Sequence, residues 1–157
     1  MRRNTGGAFG AVIAVIVVVL ICGTAFFGVS AVRNMKISDA EKLLASENYE
    51  EASSKFAEAE KLCFLKPDER VLRGLAKAAL GMNDYESAKK WYTELASLNA
   101  NDTESHFVLA QIALRQQDYG EAKRQTACLR AMGTPEGDRL ASRIESESRK
   151  AVFMCRT

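Results

Sequence analysis

Three near-copies of one short motif decide the fold of this chain: NYEEA at residues 48–52, DYESA at 84–88 and DYGEA at 118–122. The tyrosines of successive copies are 36 and 34 residues apart, and the alanine three positions after each tyrosine keeps the same register. An internal repeat of this length predicts an array of small structural units that pack side by side.

Around the first copy, apolar residues recur at the three- and four-residue spacing of amphipathic helices. One stripe consists of Ile37, Ala40, Leu43 and Leu44, and the next of Tyr49, Ala52, Phe56 and Ala59. Neither stripe is stable while exposed to water, so each predicts a helix that packs against a neighbour. In the second and third copies, the residues just before the motif tyrosine supply a turn and a helix N-cap between two such helices. These residues are Asn83-Asp84 and Gln117-Asp118.

The longer segments around these motifs resemble the tetratricopeptide-repeat (TPR) family. Residues 71–98 and 107–132 each carry a small residue, Ala76 or Ala110, nine positions before the tyrosine, with a leucine just before it. The resemblance implies an all-α fold, an α-solenoid of about three helical hairpins closed by a C-terminal capping helix. The implied boundaries are 34–66, 69–102 and 103–136 for the hairpins and 138–154 for the capping helix.

Ahead of the repeats, residues 8–32 are almost continuously apolar and contain no charged residue. As a helix, a run of this length spans a hydrocarbon core of about 30 Å. We therefore expect residues 1–33 to form a short basic tail and a transmembrane helix (about 8–32), followed by a TPR domain over 34–154. A cleaved signal peptide is the alternative, although its apolar part is normally only about 7–15 residues long. The expected localisation is single-pass in a bacterial cytoplasmic membrane, with the TPR domain outside the cytoplasm.

Composition argues against several classes of function. The formal net charge is +2 with the two signs interspersed, which does not favour a nucleic-acid partner. Four cysteines without a C-x-x-C pair and a single histidine, His106, do not match a zinc site. No nucleophile with a base, no carboxylate pair and no glycine-rich phosphate loop is apparent. We therefore expect no catalytic residue, no metal and no cofactor, and a protein that is not an enzyme.

The resemblance to TPR proteins also implies a binding surface, because their first helices line a concave groove. Transferred to this chain, the groove positions are Ile37, Glu41 and Leu44 in the first hairpin, Arg73, Lys77 and Leu80 in the second, and Phe107, Gln111 and Leu114 in the third. Arg73 and Lys77 lie four residues apart on one helix face. They would act either as an anchor for a partner's carboxylate or as an ordinary solvated basic face.

Two functions follow from these expectations. In the first, the chain is a membrane-anchored adaptor or assembly factor that presents its groove to a protein or peptide partner. In the second, it is a structural subunit of a membrane or envelope complex, which forms a homo-oligomer through its transmembrane and terminal helices.

Overall fold

The computed structural model describes residues 17, 28–63 and 67–154 of the chain. Over these residues the protein is all α-helical. The helices are α1 (residues 28–45), α2 (Tyr49–Glu60), α3 (Glu69–Gly81), α4 (Tyr85–Leu98), α5 (Thr103–Arg115), α6 (Tyr119–Ala131) and α7 (Pro135–Met154). Consecutive helices form hairpins that stack along the chain, and α7 packs against both α5 and α6.

The repeated motif produces the same turn in each hairpin. The residue two positions before each motif tyrosine has a left-handed backbone, with φ near 60° at Glu47, Asn83 and Gln117. In the second and third turns, the following aspartate caps the next helix. Asp84 accepts a hydrogen bond from the Ser87 amide, and Asp118 accepts one from the Glu121 amide. The chain thereby reverses within a few residues and brings the two apolar stripes together.

The core consists of two apolar clusters along the stack. The first cluster comprises Ile37, Ala40, Ala52, Phe56, Ala59, Val71 and Leu75, from α1, α2 and α3. The second comprises Leu72, Ala76, Ala79, Ala88, Tyr92, Leu95, Leu109 and Ile112, from α3, α4 and α5. Trp91 of α4 is partly buried against both clusters and so joins them. The predicted α-solenoid of helical hairpins is confirmed by this arrangement.

The predicted transmembrane helix and the single-pass membrane localisation are wrong. None of the helices in the described residues combines the length and the apolar character needed to cross a bilayer. The described end of the predicted segment, residues 28–32, belongs to α1, which packs into the solenoid through Ile37. Arg33 of this helix pairs with Asp68 at 3.6 Å, and Lys36 pairs with Glu58. Apart from Val17, the rest of the predicted segment lies outside the described residues.

Close helix approach in the first cluster depends on a glycine. The ring of fully buried Phe56 in α2 lies against Gly74 of α3, where a Cβ atom would overlap the ring. A Cβ atom at Gly74 would lie 2.3 to 2.5 Å from three atoms of the ring, so the buried ring would have to shift to make room for it.

We therefore predict that Gly74→Ala lowers the free energy of unfolding by about 1–3 kcal/mol, the usual cost of overpacking a core. Gly120→Ala is the matched control, since Gly120 is exposed in α6 and a Cβ atom there would meet only the Asp118 carboxylate, at 3.5 Å. The control should keep or raise stability, by up to about 1 kcal/mol. Urea unfolding followed by circular dichroism measures both, and equal midpoints for the two variants would contradict the assigned packing.

Candidate functional site

A cavity of about 380 Å³ opens along the first helices of the first two hairpins, α1 and α3. Four of the predicted groove residues line it: Glu41, Leu44, Arg73 and Lys77. Fully buried Phe56 and Gly74 form part of its wall, with Glu69 and Arg70 beside them. The cavity therefore combines an apolar wall with charged side chains.

The remaining predicted residues lie elsewhere. Leu80 is half-buried against the second core cluster, and Phe107, Gln111 and Leu114 are half-buried on α5. The Arg143 guanidinium of α7 lies 5.4 Å from the centre of the Phe107 ring. Ile37 has no exposed surface, so it belongs to the core and offers nothing to a partner. We use the name groove face for the accessible members of the set: Glu41, Leu44, Arg73, Lys77, Leu80, Phe107, Gln111 and Leu114.

Arg73 is held by carboxylates of its own chain. Its guanidinium donates to Glu69 at 2.7 Å, to Asp102 at 3.1 Å and to Glu104 at 2.6 Å. Partial burial by itself would lower the pKa of Arg73, but the hydrogen bonds to Glu69 and Asp102 raise it above its ordinary value. The residue stays charged and ties α3 to the start of α5.

Two further ion pairs join first helices on the same face. Lys77 lies 3.1 Å from Glu104, and Arg70 donates to Glu41 of α1 at 2.8 Å. Arg73–Asp102 and Arg70–Glu41 have the same sequence separation of 29 residues. The sequence interpretation treated Arg73 and Lys77 as an open basic face and missed these partners. The shared separation, slightly shorter than one repeat, was the signal that could have revealed them.

His106 contributes to the packing between helices. It is buried, with Nδ1 at 2.6 Å from the Gln125 side-chain oxygen and Nε2 at 3.2 Å from the Ala100 carbonyl oxygen. These contacts link α5 to α6 and to the turn before α5. The repeat pattern of the sequence gave no sign of the contact with Gln125.

Comparison with known proteins identifies the fold. No family model matches the chain, and no curated protein matches it. Solved structures do match, including the type III secretion translocator chaperone SycD of Yersinia enterocolitica, with a TM-score of 0.66 and 22% identity over 82% of this chain and 88% of that one.

Two similar structures are complexes. SycD with a peptide of the translocator YopD gives a TM-score of 0.64 and 22% identity, covering 77% of this chain and 92% of that one. PcrH, a Pseudomonas aeruginosa protein, in complex with the chaperone binding region of PopB gives a TM-score of 0.60 and 22% identity, covering 74% of this chain and 94% of that one. The chain therefore shares the helical fold of these proteins.

Because of the carboxylates around Arg73, we expect Arg73 and Lys77 to contribute unequally to the free energy of unfolding. Arg73→Met should lower the free energy of unfolding by about 1–3 kcal/mol, because it leaves Asp102, only 10% exposed, beside Glu104 without a counter-ion. Lys77→Met should cost no more than about 0.5 kcal/mol, since Lys77 is 43% exposed. Urea titrations compare the two variants, and a loss of no more than about 0.5 kcal/mol for Arg73→Met as well would show that the Arg73 network does not stabilise the stack.

Proposed function

We propose that this chain is a protein-binding adaptor of TPR type, whose groove face accepts a peptide segment of a client protein. The observation that carries the proposal is the cavity between α1 and α3, where the half-buried Leu44 lies next to Glu41 and Lys77. Apolar side chains provide the contact area for a peptide, and polar side chains next to them fix its direction and register.

The face continues along α5, where Phe107 and Leu114 add half-buried apolar surface and Gln111 adds an amide between them. An amide side chain both donates and accepts hydrogen bonds, which suits the main chain of a bound peptide. Because both cations of the groove face, Arg73 and Lys77, are paired internally, we expect recognition to depend on apolar anchors and amide contacts more than on a partner's charge.

Structural neighbours support this type of function. SycD has been solved with a translocator peptide and PcrH with the chaperone binding region of PopB. Both complexes have the helical fold that this chain shares, so the fold is one that holds peptide segments. The proposed class is therefore a chaperone-like adaptor without catalytic activity.

Affinity purification of the full-length chain from its native cells tests the proposal. We predict that the double variant Gln111→Ala, Leu114→Ala recovers at least about tenfold less of its specific partner than the parent chain does. The reason is that two neighbouring contacts of the groove face are removed together. Leu98→Ala is the matched control, since Leu98 is 48% exposed on α4, away from the groove face. Thermal unfolding of both variants confirms that they are folded. Recovery of the same partner in equal yield from both variants would contradict the proposal.

A further inference from the structure

The last hairpin differs from the first two at the position seven residues after the motif tyrosine. Phe56 and Tyr92 occupy this position in the first two copies, and both side chains are fully buried in the core clusters. The third copy has Thr126, whose hydroxyl donates to the Ala122 carbonyl oxygen of its own helix at 2.8 Å. A large aromatic ring is thus replaced by a small side chain.

A cavity of about 530 Å³ lies at this position, between α6 and α7. Thr126, Ala122 and Ala127 line it on the α6 side, and Ile144 lines it on the α7 side. This is larger than the cavity on the groove face and within the size range of ligand sites. Because the cleft opens to solvent, an apolar side chain that displaces water from it would gain free energy from hydrophobic burial.

The rim of this cavity is basic. Lys123, Arg130 and Arg149 line it together with a single carboxylate, Glu145. Arg130 already pairs with Glu145 at 2.9 Å. Within the described part of the chain, neither Lys123 nor Arg149 forms an ion pair. Two cations therefore remain available to an acidic partner.

The chain itself indicates the shape of an occupant. Two repeats earlier in the stack, at the junction of α2 and α3, α4 packs beside α3 and inserts Trp91 against the cluster formed by α1, α2 and α3. No described helix covers the α6/α7 junction in the same way. A helix carrying one large apolar side chain matches the vacant position.

We propose that the α6/α7 cleft is a second interaction site, which binds an amphipathic helix of an acidic protein partner. A bulky side chain of the partner fills the cavity next to Thr126, and acidic residues of the partner face Lys123 and Arg149. The site is separate from the groove face and does not depend on the function proposed for it.

The probe is a dye-labelled synthetic peptide with the sequence of residues 85–98, modified by Lys89→Glu and Lys90→Glu so that it is acidic and retains Trp91 as its anchor. Fluorescence anisotropy with the full-length chain measures its affinity. Thr126→Phe should weaken binding at least about tenfold, because the added ring fills the cavity. Cys128→Phe adds the same ring at an exposed position of α6 and should leave the affinity within about twofold.

Charge provides a second, independent test that does not alter the core. The double variant Lys123→Glu, Arg149→Glu should weaken binding of the acidic peptide, and added salt should reduce the difference from the parent. This test holds even if Thr126→Phe fails to fold. A peptide that also carries Trp91→Ala should bind more weakly than the probe to the unmodified chain.

Four outcomes would overturn the proposal. One is the absence of binding at about 1 mM peptide, and another is equal affinity for the parent and both cleft variants. A third is loss of binding with Gln111→Ala, Leu114→Ala alone, which would assign the peptide to the groove face. A fourth is a dimer, detected by sedimentation of the chain without peptide, that Thr126→Phe dissociates. That result would assign the cleft to a second copy of the chain.

Discussion

The packing of large rings against residues with little or no side chain is the constraint on which the rest of the structure depends. Phe56 lies where a Cβ atom of Gly74 would be, and Tyr49 lies in the same way against Gly81. Such contacts let consecutive hairpins approach closely enough to bury a continuous core. Where the third repeat has Thr126 in place of a ring, the helices leave a cavity. The same rule thus accounts for the close packing of the first hairpins and for the open cleft between α6 and α7.

Ion pairs between first helices fix the second feature of the fold, the orientation of the groove face. Arg73 binds carboxylates of α3 and α5, and Arg70 binds Glu41 of α1. These contacts are partly exposed and individually modest, but several of them act on one face. They hold the first helices side by side, so the cavity between α1 and α3 is formed before any partner arrives. A preformed site avoids part of the entropy cost of binding.

Local pattern was sufficient to predict the helical hairpins, because helix periodicity, turn residues and the Asp84 and Asp118 caps act within a few residues. What the sequence did not predict depends on distant contacts. Hydropathy measured how apolar residues 8–32 are, but it could not show that α1 packs into the solenoid through Ile37. Asp102 and Glu104 lie 29 and 31 residues after Arg73, and Gln125 lies 19 residues after His106. The groove residues stay a prediction, supported by their position around one cavity and along α5.

Hydrogen–deuterium exchange of the full-length chain, with and without its co-purified partner, tests the central claim most directly, since it reports which helices the partner covers. Binding at the groove face predicts slower exchange in peptides from α1, α3 and α5, with little change in the solvent-facing part of α4. Protection confined to α2, α4 and α6, with unchanged exchange in α3 and α5, would contradict the claim that the first helices of the hairpins form the binding surface.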